Sequence, residues 1–504
     1  MKKHILNFIF CAVLISCNMP KNSNDNVIKK PNILFIVTDD LNCDLGAYNH
    51  PLVKSPNIDK LAKNGILFEN AHNQYPLCGP SRASFMTSLY TDQTNIKGNN
   101  IFVRQTLPDV TTLAERFRQE GYNSVRIGKI YHYSNPGHIG TSSFDDPDSW
   151  DYVINPYGRD KKEEHKINGI KEDWGGGDLS WLASEGSDEE QTDGIVASEA
   201  IEHLDYYSNN GQNFFLAVGL FRPHVPFVAP KKYFQMYSRD DINVPPLDDN
   251  FLKTIPYPAA RSLRAKKEQI NLDKEIAKTV IQAYYATNSF VDAQIGRILD
   301  KLKKTGLDKN TIVVFTSDHG FHMGEHGHYM KQTLFNSATR VPLIFSGPGI
   351  KKGIRIPKSP VELIDMYPTL LDMSGLDIPG FVSGKSLVPI FEDPKISVRK
   401  SALTNYKKAG YEGYSAKTDR YRITKWGENG EHGYELYDHD IDKNENKNLA
   451  NNPDYKKIKE ELIEHLDDRI KNSKISPEGI TQIDNYRPVS KAKYMRYTPK
   501  NGQK

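Results

Sequence analysis

"PNILFIVTDD", residues 31–40, runs from Ile33 to Val37 without a polar break and closes on two aspartates. A strand wet on one face alternates apolar and polar residues; an unbroken run of this kind suits a strand buried on both faces. Similar runs recur in "YNSVRIGK" (122–129), "NFFLAVGLFRPH" (213–224), "TIVVFTSDHG" (311–320) and "VPLIFSGPG" (341–349). Helical patterns lie between them. "TTLAERFRQEG" (111–121) ends in Gly121 as a helix C-cap would, and Val291, Ile295, Ile298 and Leu302 recur at helical spacing before Gly306. Strands alternating with helices predict an α/β fold, with a large, mostly parallel central sheet flanked by helices. From about residue 396 the character changes. "DRYRITKWGENGEHGYELYDHDIDKNENKNLA" (419–450) reads as short strands around turns, followed by a charged helix near 453–472. This predicts a large α/β domain over 31–395 and a smaller C-terminal α+β subdomain over 396–504.

The chain has 504 residues, 38% of them hydrophobic and 26% charged, enough for a large core. Its 66 basic and 63 acidic residues leave a formal charge of +3. Such a balance argues neither for nor against nucleic acid; no nucleic acid is expected as a partner. No stretch is long and apolar enough to span a membrane. The N-terminus "MKKHILNFIFCAVLISCNMPKNSND" opens with Lys2 and Lys3, continues with a short apolar run and reaches Leu14-Ile15-Ser16-Cys17. That pattern suits an export signal, and the tetrapeptide resembles a bacterial lipobox with Cys17 as the lipidated residue. The expectation is an exported lipoprotein, with residues 1–17 as signal and the polar 18–30 as tether, anchored to the membrane in the periplasm or at the cell surface. Cys43 and Cys78 are then the only thiols left, too few for a disulfide framework.

Polar residues follow the apolar runs: Asp39 and Asp40, Lys129 and His132, His224, Asp318 and His319. In open α/β sheets ligands bind beyond the carboxyl ends of the strands, so five strands would deliver acids, bases and cations to one edge. Asp39, Asp40 and Asp318 close together repel unless a cation joins them. A hard divalent ion with oxygen ligands, Ca²⁺ above all, resolves that conflict, provided the strand ends or bends at Asp39 so that both aspartates face one point. The duller alternative is one aspartate capping a turn and the other solvated. Four histidines in "DHGFHMGEHGHYMK" raise zinc as a rival, which the oxygen donors and missing cysteines oppose.

Cys78 is followed by Gly79, Pro80, Ser81 and Arg82. Pro80 fits a first helical turn, placing Cys78 just before a helix N-terminus, where backbone N–H groups and Arg82 favour an anion. A buried structural cysteine, an activated thiolate and an anion site with a reactive sulfur are all compatible with that spacing.

The pentapeptide matches the C-x-P-S-R signature of the formylglycine-dependent sulfatases, of the alkaline phosphatase superfamily. The resemblance extends through "NILFIVTDDL", "GKIYH", "FFLAVGLFRPHVPF", "TIVVFTSDHGFHMGEHGHYMK" and "VPLIF" and looks most like the iduronate-2-sulfatase branch. It implies an alkaline-phosphatase-like fold and oxidation of Cys78 by a maturation enzyme to formylglycine, whose hydrate carries the nucleophilic hydroxyl. It implies Asp39, Asp40, Asp318, His319 and the modified residue 78 as ligands of one calcium ion. Many sulfatases have asparagine where His319 stands. Arg82 and Lys129 match groups that stabilise the hydrate, His132 the group that assists the nucleophile and the elimination, and His224 and Lys331 groups that grip the sulfate ester and serve the leaving oxygen. The implied substrate is a sulfated carbohydrate, a 2-O-sulfated uronic acid such as iduronate or a uronate-containing algal polysaccharide such as ulvan. The rivals are a phosphomonoesterase or phosphodiesterase of the same superfamily, typically with two transition-metal ions and a Thr or Ser nucleophile, and a non-catalytic glycan-binding lipoprotein. The polar insertion 158–194, with two tryptophans and three consecutive glycines, reads equally as a pocket wall or a solvated loop. The stretch from Asn485, with six Lys or Arg and no acid, reads as a solvated basic tail.

Overall fold

The computed structural model describes residues 30–485 except Gly176, Leu247 and Asp249. The signal, the tether to residue 29, Cys17 and the basic tail beyond Asn485 lie outside the described residues.

The Asn32–Thr38 strand is buried along its whole length. Its alternating side chains serve two cores. Ile33, Phe35 and Val37 pack with Phe85, Phe117 and Phe215 on one face of the sheet. Leu34 and Ile36 pack with Val291, Ile295, Ile298 and Leu302 on the other. The continuous apolar run is thus two period-2 patterns superposed. The helical spacing noted at 291–302 lies on the Lys274–Lys304 helix, which ends before Gly306 at φ 74°. Asp273 caps its start by accepting from the Glu275 and Ile276 N–H groups. The Leu113–Gln119 helix is followed by Gly121 at φ 83°.

Among the described residues the central sheet has nine strands. Eight form one path: Ile354–Ile356, Gly65–His72, Arg340–Ser346, Thr311–Ser317, Asn32–Thr38, Phe214–Gly219, Asn123–Gly128 and Tyr152–Ile154, with Val361–Glu362 also pairing Gly65–His72. Asn32–Thr38 is parallel to both neighbours, in register Phe35 with Ala217 and with Val314. Asn123–Gly128 is parallel to Phe214–Gly219. Arg340–Ser346 alone among these runs opposite, antiparallel to both Gly65–His72 and Thr311–Ser317. The expectation of five strands delivering residues to one edge is therefore corrected to four. The segment 318–339 holds only single-turn helices, and without a crossover helix the chain turns back from the same edge.

The C-terminal part forms a four-stranded antiparallel sheet, Ala402–Lys408, Tyr411–Lys417, Tyr421–Trp426 and Tyr434–Asp438, in that order. The Lys456–Ser473 helix packs Leu462, Leu466 and Ile470 against it.

Candidate active site

The four parallel strands each end at the same edge and hand their next residues to one buried cluster. Asn32–Thr38 stops one residue before Asp39, and Asp40 takes φ 65°. This left-handed kink is the bend that lets two adjacent aspartates serve one site. Thr311–Ser317 delivers Asp318 and His319, and the Asp40 N–H donates to Asp318 Oδ1 at 3.1 Å, locking the two strand ends together. Asp39, Asp40, Asp318 and His319 are all fully buried.

The Cys78–Thr87 helix is buried at every residue and begins at Cys78 itself, with Leu77 extended before it. The sequence placed Cys78 just outside the helix. Pro80 occupies the third helical position, where its missing N–H is still one that no helical carbonyl would receive. Cys78 therefore lies within the turn whose N–H groups favour an anion. Gly79 N–H is taken by Asn99 Oδ1 at 2.9 Å. Arg82 fans between the acids, Nε to Asp318 Oδ2 at 2.9 Å and Nη2 to Asp39 Oδ1 at 3.2 Å. Lys129 donates to Asp39 Oδ2 at 2.5 Å and to the Tyr133 carbonyl at 2.8 Å. Lys331 Nζ lies 2.6 Å from Asp40 Oδ1 and 3.4 Å from Cys78 Sγ. His319 Nε2 lies 3.2 Å from the same sulfur.

Burial works to raise the Asp39 carboxyl, but the charges of Lys129, Arg82 and Lys331 hold it well below the usual carboxylate range. Asp40 goes the other way, up to about 7: burial and repulsion from Asp39 and Asp318 outweigh Lys331. Burial also pushes the Cys78 thiol well up. A thiol held protonated by burial weighs against the activated-thiolate reading. Burial lowers His132 and His224 well below the ordinary imidazole value, so both are neutral near pH 7. His224 Nδ1 bonds the Val225 carbonyl, which sets its Nε2 toward Asp40 Oδ2 at 3.8 Å.

Two donor sets, Asp40 with Cys78 and His319, and Asp39 with Cys78 and Asp318, each bring their ligand atoms within 4.8 Å of one another. Asp40 Oδ2 is buried without a hydrogen-bond partner. Mostly carboxylate oxygens, one of them orphaned, fit a hard divalent cation. The other histidines go elsewhere. His322 bonds Thr333 Oγ1 and His328 bonds the Leu263 and Lys331 carbonyls, so the zinc rival loses its ligands.

Outward from this cluster opens a cleft of about 870 Å³, lined by His132, His224 and Lys331 at its floor. The insertion supplies one side through Lys161, Glu164, His165 and Trp174, so it is a pocket wall in the structure. It is tied into the fold by the Ser180–Ser184 strand, which pairs in parallel with Phe227–Pro230. Sequence reasoning missed Asn99, Asn100 and Asn135, which also line the cleft. It missed Tyr284 as well, whose hydroxyl donates to the Asp40 carbonyl at 2.9 Å and holds the kink. No local pattern announces residues that loops and a distant helix bring in.

The sulfatase family model matches residues 31–376, and that of the N-sulphoglucosamine sulphohydrolase C-terminal region matches 324–472. A sulfatase of Formosa agariphila is 35% identical over 88% of this chain and 88% of its own length. The iduronate 2-sulfatase of Mus musculus is 32% identical over 73% of this chain and 72% of its own. An ulvan-active sulfatase of Formosa agariphila is 27% identical, covering 88% and 81%. Among solved structures, a 2-O GAG sulfatase superposes with TM-score 0.70 at 27% identity, covering 89% of this chain and 93% of that one.

Proposed function

This chain belongs to the sulfatase family of sulfuric ester hydrolases, and from that premise we propose that it removes sulfate from a sulfated carbohydrate, using residue 78 as nucleophile. The substrate class is a 2-O-sulfated uronic acid such as iduronate, or a uronate-containing algal polysaccharide such as ulvan. Similarity to the mouse, Formosa agariphila and 2-O GAG enzymes supports it. One observation carries the chemistry: a buried cysteine at a helix start, with Lys331 and His319 within 3.4 Å of its sulfur. A buried, protonated thiol there makes sense as the precursor of another group. Members of the family depend on formylglycine, and its hydrate supplies an oxygen nucleophile at the position of Cys78.

Asp39, Asp40, Asp318, residue 78 and His319 would hold one Ca²⁺, which supplies positive charge against the sulfuryl oxygens. The chain's own groups do the rest. Arg82 and Lys129 are fixed by Asp39 and add charge behind the nucleophile. Lys331, at the cleft floor, faces the ester. Such preorganised charge costs no rearrangement as the sulfuryl group and the departing sugar oxygen become more negative. His132, neutral near pH 7, takes the proton of the attacking hydroxyl, releases it to solvent in the cleft it lines, and later takes that of the second hydroxyl. His224 directs Nε2 into the cleft and serves the leaving oxygen.

The phosphoesterase rival calls for a Thr or Ser nucleophile, and residue 78 is neither. The deciding experiment pairs sulfate release from defined sulfated oligosaccharides with the mass of the residue-78 peptide. Active enzyme with unmodified Cys78 throughout would sink the mechanism, and phosphate release without sulfate release would sink the assignment.

The exported, Cys17-lipidated form belongs to the same proposal. It rests on residues 1–17 alone. Cys17→Ser is expected to release the protein from membranes with the activity of the soluble domain unchanged.

A further inference from the structure

Beside the catalytic cleft lies a second one, of about 200 Å³, between the Tyr257–Leu263 helix and the C-terminal sheet. Arg261, Arg264, Lys408, Tyr406, Tyr411 and Trp426 line it. Lys408 stands at the end of the Ala402–Lys408 strand and donates to Gln332 Oε1 at 2.7 Å. Gln332 in turn lines the catalytic cleft beside Lys331. Lys266, two residues beyond Arg264, bonds Asp178 at 2.7 Å, and Asp178 follows Gly177 of the catalytic cleft wall. The two clefts therefore adjoin along Gln332 on one side and the Gly177–Asp178 wall on the other.

The charge in this second cleft is one-sided. Three of the described residues that line it are cations and none is a carboxylate; Arg264 is already engaged, donating to the His326 carbonyl at 3.0 Å, so the charge offered to the cleft is that of Arg261 and Lys408. Partial burial, then Lys266 and Arg261, lower Lys408 below the ordinary lysine value, so the cations crowd one another. Like charges gathered in this way are relieved by an anion. Aromatic groups stand beside these cations. The Arg261 guanidinium stands 6.0 Å over the Tyr411 ring, and the exposed Tyr257 meets Tyr411 edge-on at 5.8 Å. The Tyr406 hydroxyl is buried without a hydrogen-bond partner. Aromatic faces receive the apolar face of a pyranose, while cationic donors take a sulfate or carboxylate at its edge.

We propose that this cleft is a subsite for a further anionic sugar of the same glycan chain whose sulfate ester lies at residue 78. The proposal rests on the sulfatase reading above. It makes the enzyme a reader of charge beyond the scissile sugar, and it gives the C-terminal sheet a part in substrate selection.

The test compares wild type with Arg261→Ala/Lys408→Ala in the full chain. Three substrates carry the same terminal sulfated sugar, followed by distal sugars that bear sulfate, only carboxylate, or no charge; 4-nitrophenyl sulfate is the fourth. For the double variant KM should rise about tenfold on the charged oligosaccharides with kcat unchanged. The neutral-tailed substrate and 4-nitrophenyl sulfate should be unaffected. The sulfate and carboxylate arms identify which anion the subsite takes. An unchanged KM on both charged substrates overturns the proposal, as does an equal loss on the neutral-tailed one. If wild type hydrolyses no sulfate ester, the sulfatase reading fails separately. Calorimetric titration with the sulfated oligosaccharide still decides the subsite, by tenfold weaker binding to the variant or by equal binding.

Discussion

Lys331 reaches Asp40 across 291 residues of sequence, Nζ to Oδ1 at 2.6 Å, and through that contact stands 3.4 Å from the Cys78 sulfur. It joins the buried carboxylate cluster to the cleft floor, which it shares with His132 and His224. Lys331→Met should lower kcat about 10²- to 10³-fold, the range for losing one preorganised charge at a reacting centre. Lys331→Arg should recover little, because a planar guanidinium does not replace a compact ammonium in a filled site. Sulfate-release kinetics on protein of verified fold measure both. A loss below tenfold for the methionine variant would remove Lys331 from the reaction.

Three carboxylates, Asp39, Asp40 and Asp318, share one buried cluster with one orphaned oxygen. Binding of a cation to the folded state alone stabilises it by mass action, about 2.7 kcal/mol at one hundred times Kd. Chelator should therefore lower the melting temperature together with activity, and Ca²⁺ should restore both. Metal analysis of the purified protein should give one calcium per chain. Two zinc ions per chain would favour the phosphoesterase reading.

Lys417 tests the C-terminal sheet. The residue is 4% exposed, and its amine donates to the Thr418 carbonyl at 2.8 Å. Burial, with Arg422 close by, brings it down from 10.5 to about 7. Between those two values the unfolded chain holds the proton that the folded chain has lost. The contribution of Lys417 to stability thus rises with pH from about 7 toward 10 and is at its lowest below 7. Lys417→Met should stabilise the protein by about 2 kcal/mol at pH 6, and the advantage should shrink as pH approaches 10. Denaturant unfolding at pH 6 and pH 9 reads the difference. A gain that is the same at both values would show that the charge is not its cause.

Much of the fold was legible because buried parallel strands write themselves as apolar runs, and a positioned acid or base at the end of each run marks the edge where they converge. Asp39, Asp40, Lys129, His132, His224, Asp318 and His319 were all readable in that way. The reversed direction of Arg340–Ser346 was not, since an apolar run carries no sign of its polarity in the sheet. Nor was the helix start at Cys78, because a proline at the third helical position looks the same in sequence as one at the first. Asn99 and Asn135 stayed hidden for another reason. Their place in the cleft depends on how long loops fold back, and no periodicity constrains that.

The last prediction concerns how the C-terminal sheet is held to the rest. Arg399, just before the Ala402–Lys408 strand, bonds both Glu362 and Asp365. Arg469 from the Lys456–Ser473 helix reaches Glu362 at 2.6 Å, and the Tyr90 hydroxyl reaches it at 2.7 Å. The Leu403 N–H adds a bond of 2.6 Å to the same carboxylate. Both acids are fully buried. Burial raises Asp365 to about 6 even with Arg399 present, whereas on Glu362 burial is overcome by Arg399 and Arg469, helped by the Leu403 N–H and the Tyr90 hydroxyl, and its carboxyl is held below the usual value. Arg399→Met leaves two buried carboxylates with a single cation and should cost about 3–5 kcal/mol. The sign of its pH dependence follows. Without Arg399 the folded pKa of Asp365 rises further above its unfolded value and Glu362 loses much of what holds its own pKa down, so the folded chain keeps protons that the folded wild type releases. Stability relative to wild type then falls as pH climbs through that window. The deficit against wild type should accordingly be smaller at pH 5 than at pH 8. Asp365→Asn in the Arg399→Met background should recover part of it at pH 8 by removing one of the repelling charges. A deficit independent of pH and untouched by Asp365→Asn would mean that Arg399 acts through packing, and that charge does not hold the sheet in place.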